Sequence, residues 1–125
     1  MSNYSKGARY ERELVNELRN DGWFAMRLAA SGGGTDAELP DVLAAKDEQI
    51  VVIELKFTSS SRITVKRSKV DGLRWLANHL GASALIGGRF SGDTDYYFWT
   101  PSECKQNAKS ISAGKADRKN SMRLL

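Results

Sequence analysis

The sequence predicts an α/β domain built on a mixed β-sheet flanked by helices, and three observations carry that expectation. Two stretches, about 5–21 and 66–80, repeat apolar residues at helical spacing. Short runs rich in β-branched and aromatic residues, bounded by turn residues, lie between and after them. Their order is helix, three or four strands, helix, two strands, a succession that packs helices on a mixed sheet. A length of 125 residues suits one such domain around one core.

Taken in order, the first helix runs from Ser5 or Lys6 to Asp21, with Tyr10, Leu14, Val15 and Leu18 as its apolar stripe. Ser5 can cap its start, and Gly22 fits its end. Trp23 to Ala29 reads as a strand. Ser31-Gly32-Gly33-Gly34-Thr35 reads as a loop, because three glycines weaken any regular element. It is not a P-loop, since no Gly-Lys-Ser/Thr follows. Pro40-Asp41 opens a short strand to Ala45, Lys46 to Gln49 is turn-like, and Ile50 to Phe57 is the clearest strand. So short a turn predicts an antiparallel hairpin.

Arg62 to Val65 is a further short strand. The second helix covers Lys66 to Leu80, with Val70, Leu73, Trp75, Leu76, Ala77 and Leu80 apolar and Gly81 closing it. Ser83 to Phe90 and Tyr96 to Thr100 read as strands joined by a turn at Gly92-Asp93, and Pro101 starts a short final helix. From Ser110 onward Ser, Gly, Lys and Asn dominate, so the expected organisation is a domain over 1–109 and a disordered basic tail over 110–125.

Composition narrows the function class. Hydrophobic residues make up 41% and charged residues 27%, both ordinary for a globular fold. No apolar run reaches 18 residues, and the start of the chain has no apolar signal region, so a cytoplasmic protein without a membrane span is expected. Cys104 is the only cysteine, which excludes a disulfide within the chain and a cysteine-based zinc cluster. The net charge of +4 sits in the tail: before Lys105 there are 13 Lys/Arg against 14 Asp/Glu, and from Lys105 on there are six against one. On composition alone that tail fits either a polyanion partner such as nucleic acid or a solvated end.

The chemistry-bearing residues are Asp41, Glu54 and Lys56. Glu54 and Lys56 are two apart in a strand, so both point to one face. Asp41, on the adjoining strand of the hairpin, can reach the Glu54 side. Converging carboxylates repel each other and suit a hard divalent cation, Mg²⁺ first and Mn²⁺ as a substitute. Lys56 beside such an ion can orient an attacking water or neutralise charge building on a phosphate. An E-x-K in a strand is by itself an ordinary surface pair; the Pro40-Asp41 upstream gives it meaning.

Pro40-Asp41 followed by Glu54-Leu55-Lys56 resembles the PD-(D/E)xK nucleases, whose sheet is restriction-endonuclease-like. Lys6-Gly7-Ala8-Arg9-Tyr10-Glu11-Arg12-Glu13-Leu14 resembles the opening of the archaeal Holliday-junction resolvases, and Ala25-Met26-Arg27-Leu28-Ala29-Ala30-Ser31-Gly32 is similar to their next strand and loop. The likeness covers Lys6 to Trp99. It implies a homodimeric, Mg²⁺-dependent endonuclease acting on four-way DNA junctions in recombination and repair, with no small-molecule substrate. It also implies that Glu11 is a third metal-site carboxylate, where periodicity alone reads a solvent-facing helix residue. It places Arg12 and Arg27 on phosphates and Ser31 near the scissile strand. The Gly33 to Leu39 insert departs from the pattern, with Asp36 and Glu38 beside a site that must accept DNA.

Lys66, Arg67 and Lys69 cluster near the start of the second helix with Arg62 just before, where cations gain nothing from the helix dipole, so they read as phosphate contacts. Lys6 and Arg9 belong to the same surface. His79 reads as an ordinary helix residue, and Trp75, Tyr97, Phe98 and Trp99 as core or interface. Two opposed nicks in a two-fold junction call for two sites, hence a homodimer, with Leu73, Trp75, Leu76 and the late strands as its expected interface. Two other readings compete: a nuclease of this class with another branched, nicked or duplex substrate, and a non-catalytic DNA-binding scaffold. Glu11, Asp41, Glu54 and Lys56 together argue against the scaffold.

Overall fold

The structure is a computed structural model; residues 3–28 and 39–125 are described, with side chains from residue 7 onward in the first stretch. Ser31, most of the Gly33–Leu39 insert, the Ala29 end of the first strand and the Lys6 side chain lie outside the described residues. Helix α1 (Asn3–Asn20) is followed by β1 (Phe24–Arg27), β2 (Val42–Lys46), β3 (Gln49–Thr58) and β4 (Arg62–Lys66). Helix α2 (Arg67–Leu80), β5 (Ser83–Phe90), β6 (Tyr97–Trp99), β7 (Lys105–Gln106) and β8 (Ser110–Gly114) complete the order. Five strands form a sheet in the order β1-β2-β3-β5-β6. Its pairs are antiparallel except β3 and β5, which run parallel because β4 and α2 form the crossover between them. This is the mixed, helix-flanked sheet that the sequence predicts.

Alternation along β3 explains why it sits at the centre. Val51, Ile53 and Leu55 face α1 and pack with Leu14, Val15 and Leu18. Val52 faces the other way and packs with Val70, Leu73 and Ala77 of α2. A strand buried on both faces reads as a continuous apolar run, as Ile50 to Ile53 does. Glu54 interrupts that run on the α2 face. At the C-terminus of α2, Gly81 takes φ 65° and its N–H reaches Ala77 O, the left-handed cap that glycine adopts without strain.

The β2–β3 hairpin forms as expected, with Lys46 opposite Gln49 and only two residues between. Asp47 and Glu48 both have positive φ, 50° and 67°, the geometry of a hairpin turn that matches strand twist. Glutamate in that region costs about 1 kcal/mol that glycine avoids. Glu48→Gly should therefore stabilise the chain by at most about 0.5 kcal/mol in chemical denaturation, after allowing for the entropy glycine loses on folding. A destabilised variant would show that the Glu48 side chain contributes more than the backbone strain removes.

The final segment corrects an expectation. Residues from Ser110 onward are not a disordered tail: β8 is the central strand of a second sheet, β4-β8-β7. Its Ile111 and Ala113 are buried with Ile63 and Val65 of β4. A 3₁₀ helix (Lys115–Asn120) follows, Trp99 Nε1 donates to Asp117 O at 3.0 Å, and Met122 N–H donates to Phe98 O at 2.8 Å. The physical reason is non-local pairing, which composition does not register. The expected helix at Pro101 is a single 3₁₀ turn (Pro101–Glu103) closed by Glu103 Oε1 on Thr100.

Candidate active site

Asp41 and Glu54 lie at one end of the α2 face of the sheet, and α1, packed on the opposite face, brings Glu11 to their edge. Asp41 directly precedes β2 and is fixed through its backbone: its N–H donates to Ile53 O at 3.0 Å, and its carbonyl accepts the Leu28 N–H at 2.8 Å. Its side chain accepts the Leu55 N–H at 2.8 Å, so one carboxylate oxygen is locked against β3. Alternation puts Glu54 beside Val52 on the α2 face, where it is 2% exposed. Among the described residues Glu54 Oε1 is buried without a hydrogen-bond partner, while Oε2 stands 4.0 Å from Lys56 Nζ. Glu11 arrives from α1 and is held by Arg27, whose Nε lies 3.2 Å from Oε1.

Electrostatics show that these acids feel one another. Burial, then the charge of Asp41, pushes the Glu54 carboxyl up to about 8. Burial also raises Asp41, against the opposing hydrogen bond from Leu55 and the charge of Lys56. Glu11 is raised by burial and then by Asp41. A cluster of desolvated carboxyls that raise one another is short of positive charge. A divalent cation would supply it and would give the orphaned Glu54 oxygen a partner. Among the described residues no three acids are drawn together tightly enough to form a ready-made ligand set. Glu11 is instead turned to Arg27 and Asp41 to the Leu55 N–H.

Lys69 is the residue whose place the sequence did not reveal. Read as a phosphate contact on a helix end, it acts on both Asp41 and Glu54 from the first turn of α2. The signal was one position away: Val70 packs on the face that Glu54 shares with Val52, so the start of α2 must overhang the acids.

The other expected contacts divide. Arg12 is exposed and its charge reaches Glu11. Arg9 pairs with Glu13 at 3.6 Å and lies over the Tyr10 ring. Two of them are already engaged within the chain. Arg27 pairs with a site carboxylate before any phosphate is present. Arg67 bonds Gln106 Oε1 and Asn107 O, so it ties α2 to the β7–β8 turn. His79 Nδ1 lies 2.8 Å from Trp75 O, an ordinary contact within the helix.

The family described as archaeal Holliday junction resolvase (hjc) matches residues 2–124. This chain belongs to that family. The Hjc crossover junction endodeoxyribonuclease of Sulfolobus acidocaldarius is 32% identical over 97 residues, which cover 77% of this chain and 68% of that protein. The Hjc enzyme of Sulfurisphaera tokodaii is 32% identical over 87 residues, 69% of this chain and 60% of that one. The structure of Archaeoglobus fulgidus Hjc superposes with a TM-score of 0.83 at 22% identity, covering 93% of this chain and 94% of the other. The fold is thus the restriction-endonuclease-like fold of the Hjc resolvases. The Hjc match runs past Ser110, as does the folded chain.

Proposed function

We propose that this chain is a structure-selective endonuclease that resolves four-way DNA junctions by metal-dependent phosphodiester hydrolysis. The observation that carries the reading is the buried Glu54 carboxylate beside Asp41, one of its oxygens without a hydrogen-bond partner among the described residues, with Glu11 at their edge and the charges of two lysines acting on them. A scaffold that only bound DNA would gain nothing from desolvated acids facing a polyanion.

Glu54 and the free oxygen of Asp41, with Glu11 once released by Arg27, are the residues that would hold the metal. A bound Mg²⁺, or Mn²⁺ in its place, supplies Lewis acidity that makes its water a nucleophile near neutral pH. Lys56, side chain 38% exposed and 4.0 Å from Glu54, is placed to touch a phosphate oxygen and neutralise charge in the transition state. Lys69 adds a second positive charge from the helix side. Arg27 links Glu11 to the strand that leads towards Ser31, so an arriving phosphate would compete with Glu11 for its guanidinium.

A homodimer completes the reading, because a two-fold junction needs two sites. Leu73 cannot serve its interface, being fully buried in the core, and Phe98 and Trp99 are buried too. Exposed apolar surface on the α2 side of the sheet remains at Trp75 (48%), Phe24 (60%) and Met26 (39%). Phe24 and Met26 alternate with buried Ala25 on the edge strand β1, so they share the sheet face on which α2 lies. A second copy is the partner this surface fits.

The test compares a supercoiled plasmid extruding a cruciform with a linear duplex of the same sequence, with Mg²⁺ and with chelator. The expected result is Mg²⁺-dependent linear product from the cruciform without nicked circles accumulating first, and no cutting of the duplex. Equal cutting of both substrates would leave a nuclease of this class with another substrate. Cutting in chelator would remove the metal from the proposal.

A further inference from the structure

The second sheet presents an outer face that plays no part in the acidic site. We propose that this face is a platform for the phosphate backbone of a duplex DNA arm. The identity of the partner rests on the nuclease reading; the surface itself is built from its own contacts.

Register determines what the face shows. Ile63 and Val65 of β4 point inward with Ile111 and Ala113 of β8. Arg62, Thr64 and Lys66 alternate with them and are exposed. They stand opposite Gly114, Ser112 and Ser110, and Lys105 of β7 stands opposite Ser112. The face is therefore a lane of small residues with cations on both margins. Lys109 lies in the turn between β7 and β8, and Lys115 just beyond β8. The one acid after Glu103 is Asp117, already engaged by the Gly114 N–H at 2.7 Å and facing Arg62 Nη2 at 3.7 Å.

Arg62 is positioned before any ligand arrives. Its Nε donates to Ser112 Oγ at 3.0 Å, and Asn107 Nδ2 reaches the same oxygen at 3.4 Å. Its guanidinium crosses Gly114 so closely that a Cβ there would meet Nη1 at 2.6 Å. Its side chain nevertheless stays 42% exposed. A planar fork held flat, with its rotamer freedom already reduced, suits phosphate oxygens. Ser112 and Gly114 are buried beneath that guanidinium, so a sugar–phosphate backbone on this face would meet Arg62 and not the strand.

Placement favours DNA. Four strand steps separate Arg62 from Lys66, about 13 Å, far enough for the two cations to reach different phosphates of one DNA strand. β4 leads directly into α2, so Lys66 lies three residues before Lys69 at the carboxylates. An arm leaving the acidic site along β4 would run onto this lane.

The test measures junction binding by fluorescence anisotropy over a KCl series in chelator, with long-armed and short-armed junctions. In the Lys66→Gln/Lys105→Gln double variant, the salt slope on the long-armed junction should fall by about two, with affinity down about tenfold or more. On short arms the loss should disappear. Gly114→Ala changes no charge but displaces Arg62, and should lower the slope by about one; thermal melting checks that each variant is folded. A wild-type slope in the double variant on long arms, or an equal loss on short arms, overturns the platform. Cutting of the cruciform by the wild type is scored separately, so a chain that cuts junctions but keeps its slope loses only this inference.

Discussion

Glu54→Gln is expected to abolish cutting and, in metal-free buffer at pH 8, to make the protein more stable. The two effects share one cause. Glu54 is almost wholly buried, and its carboxyl is pushed up to about 8 by desolvation and by Asp41. An acid whose folded pKa lies above its unfolded value holds its proton longer in the folded state. It is therefore harmless below about 4.5, where both states are protonated, and increasingly destabilising as pH rises to about 8. Above that the full penalty applies, on the order of a few kcal/mol. Glutamine resembles the protonated side chain and removes the penalty. The stability difference between variant and wild type should thus be near zero at about pH 4 and grow to a few kcal/mol by pH 8, read by chemical denaturation in chelator. Adding Mg²⁺ at pH 8 should stabilise the wild type and not the variant. Loss of the carboxylate should slow cutting by about 10²–10³-fold or more. A difference flat with pH, or a variant that cuts normally, would show that Glu54 carries no buried charge of functional use.

That conflict between stability and function is what the sequence could display. A glutamate inside the run Ile50 to Phe57 breaks a local rule, and alternation places Lys56 on its side. The Pro40-Asp41 hairpin partner follows from the short turn, and the register bears it out, with Val42 opposite Ile53. Glu11 was not legible from periodicity. It adjoins the apolar stripe of α1, where a half-buried acid and a solvated one have the same spacing. Only the resemblance to the resolvases pointed to it. The structure gives Glu11 a side chain 17% exposed, held by Arg27 and feeling Asp41. Lys69 escaped for a different reason: its neighbours depend on which sheet face α2 covers, a tertiary fact that a cation at a helix start does not encode. The charge of the final segment was legible, but its strand was not.

Deleting residues from Ser110 onward should unfold the chain rather than trim it. The central strand of the second sheet would go, leaving both β4 and β7 without their hydrogen-bonding neighbour. Ile111 would be lost from the core, and Ile63, Val65 and Trp99 would lose cover. Exposing large apolar side chains costs about 1.5–3 kcal/mol each, so three or four of them rival the whole stability of a small domain. Trp99 would also lose the carbonyl of Asp117 that satisfies its buried N–H. The expected result is a truncated chain without a cooperative melting transition or near-ultraviolet dichroism. Ile111→Ala provides a graded version, destabilising by about 2–5 kcal/mol through the cavity it leaves. A truncated protein that melts like the full chain would mean that β8 is decoration. In that case the cations it aligns would be a solvated fringe after all, and their lane along β4 would have no scaffold.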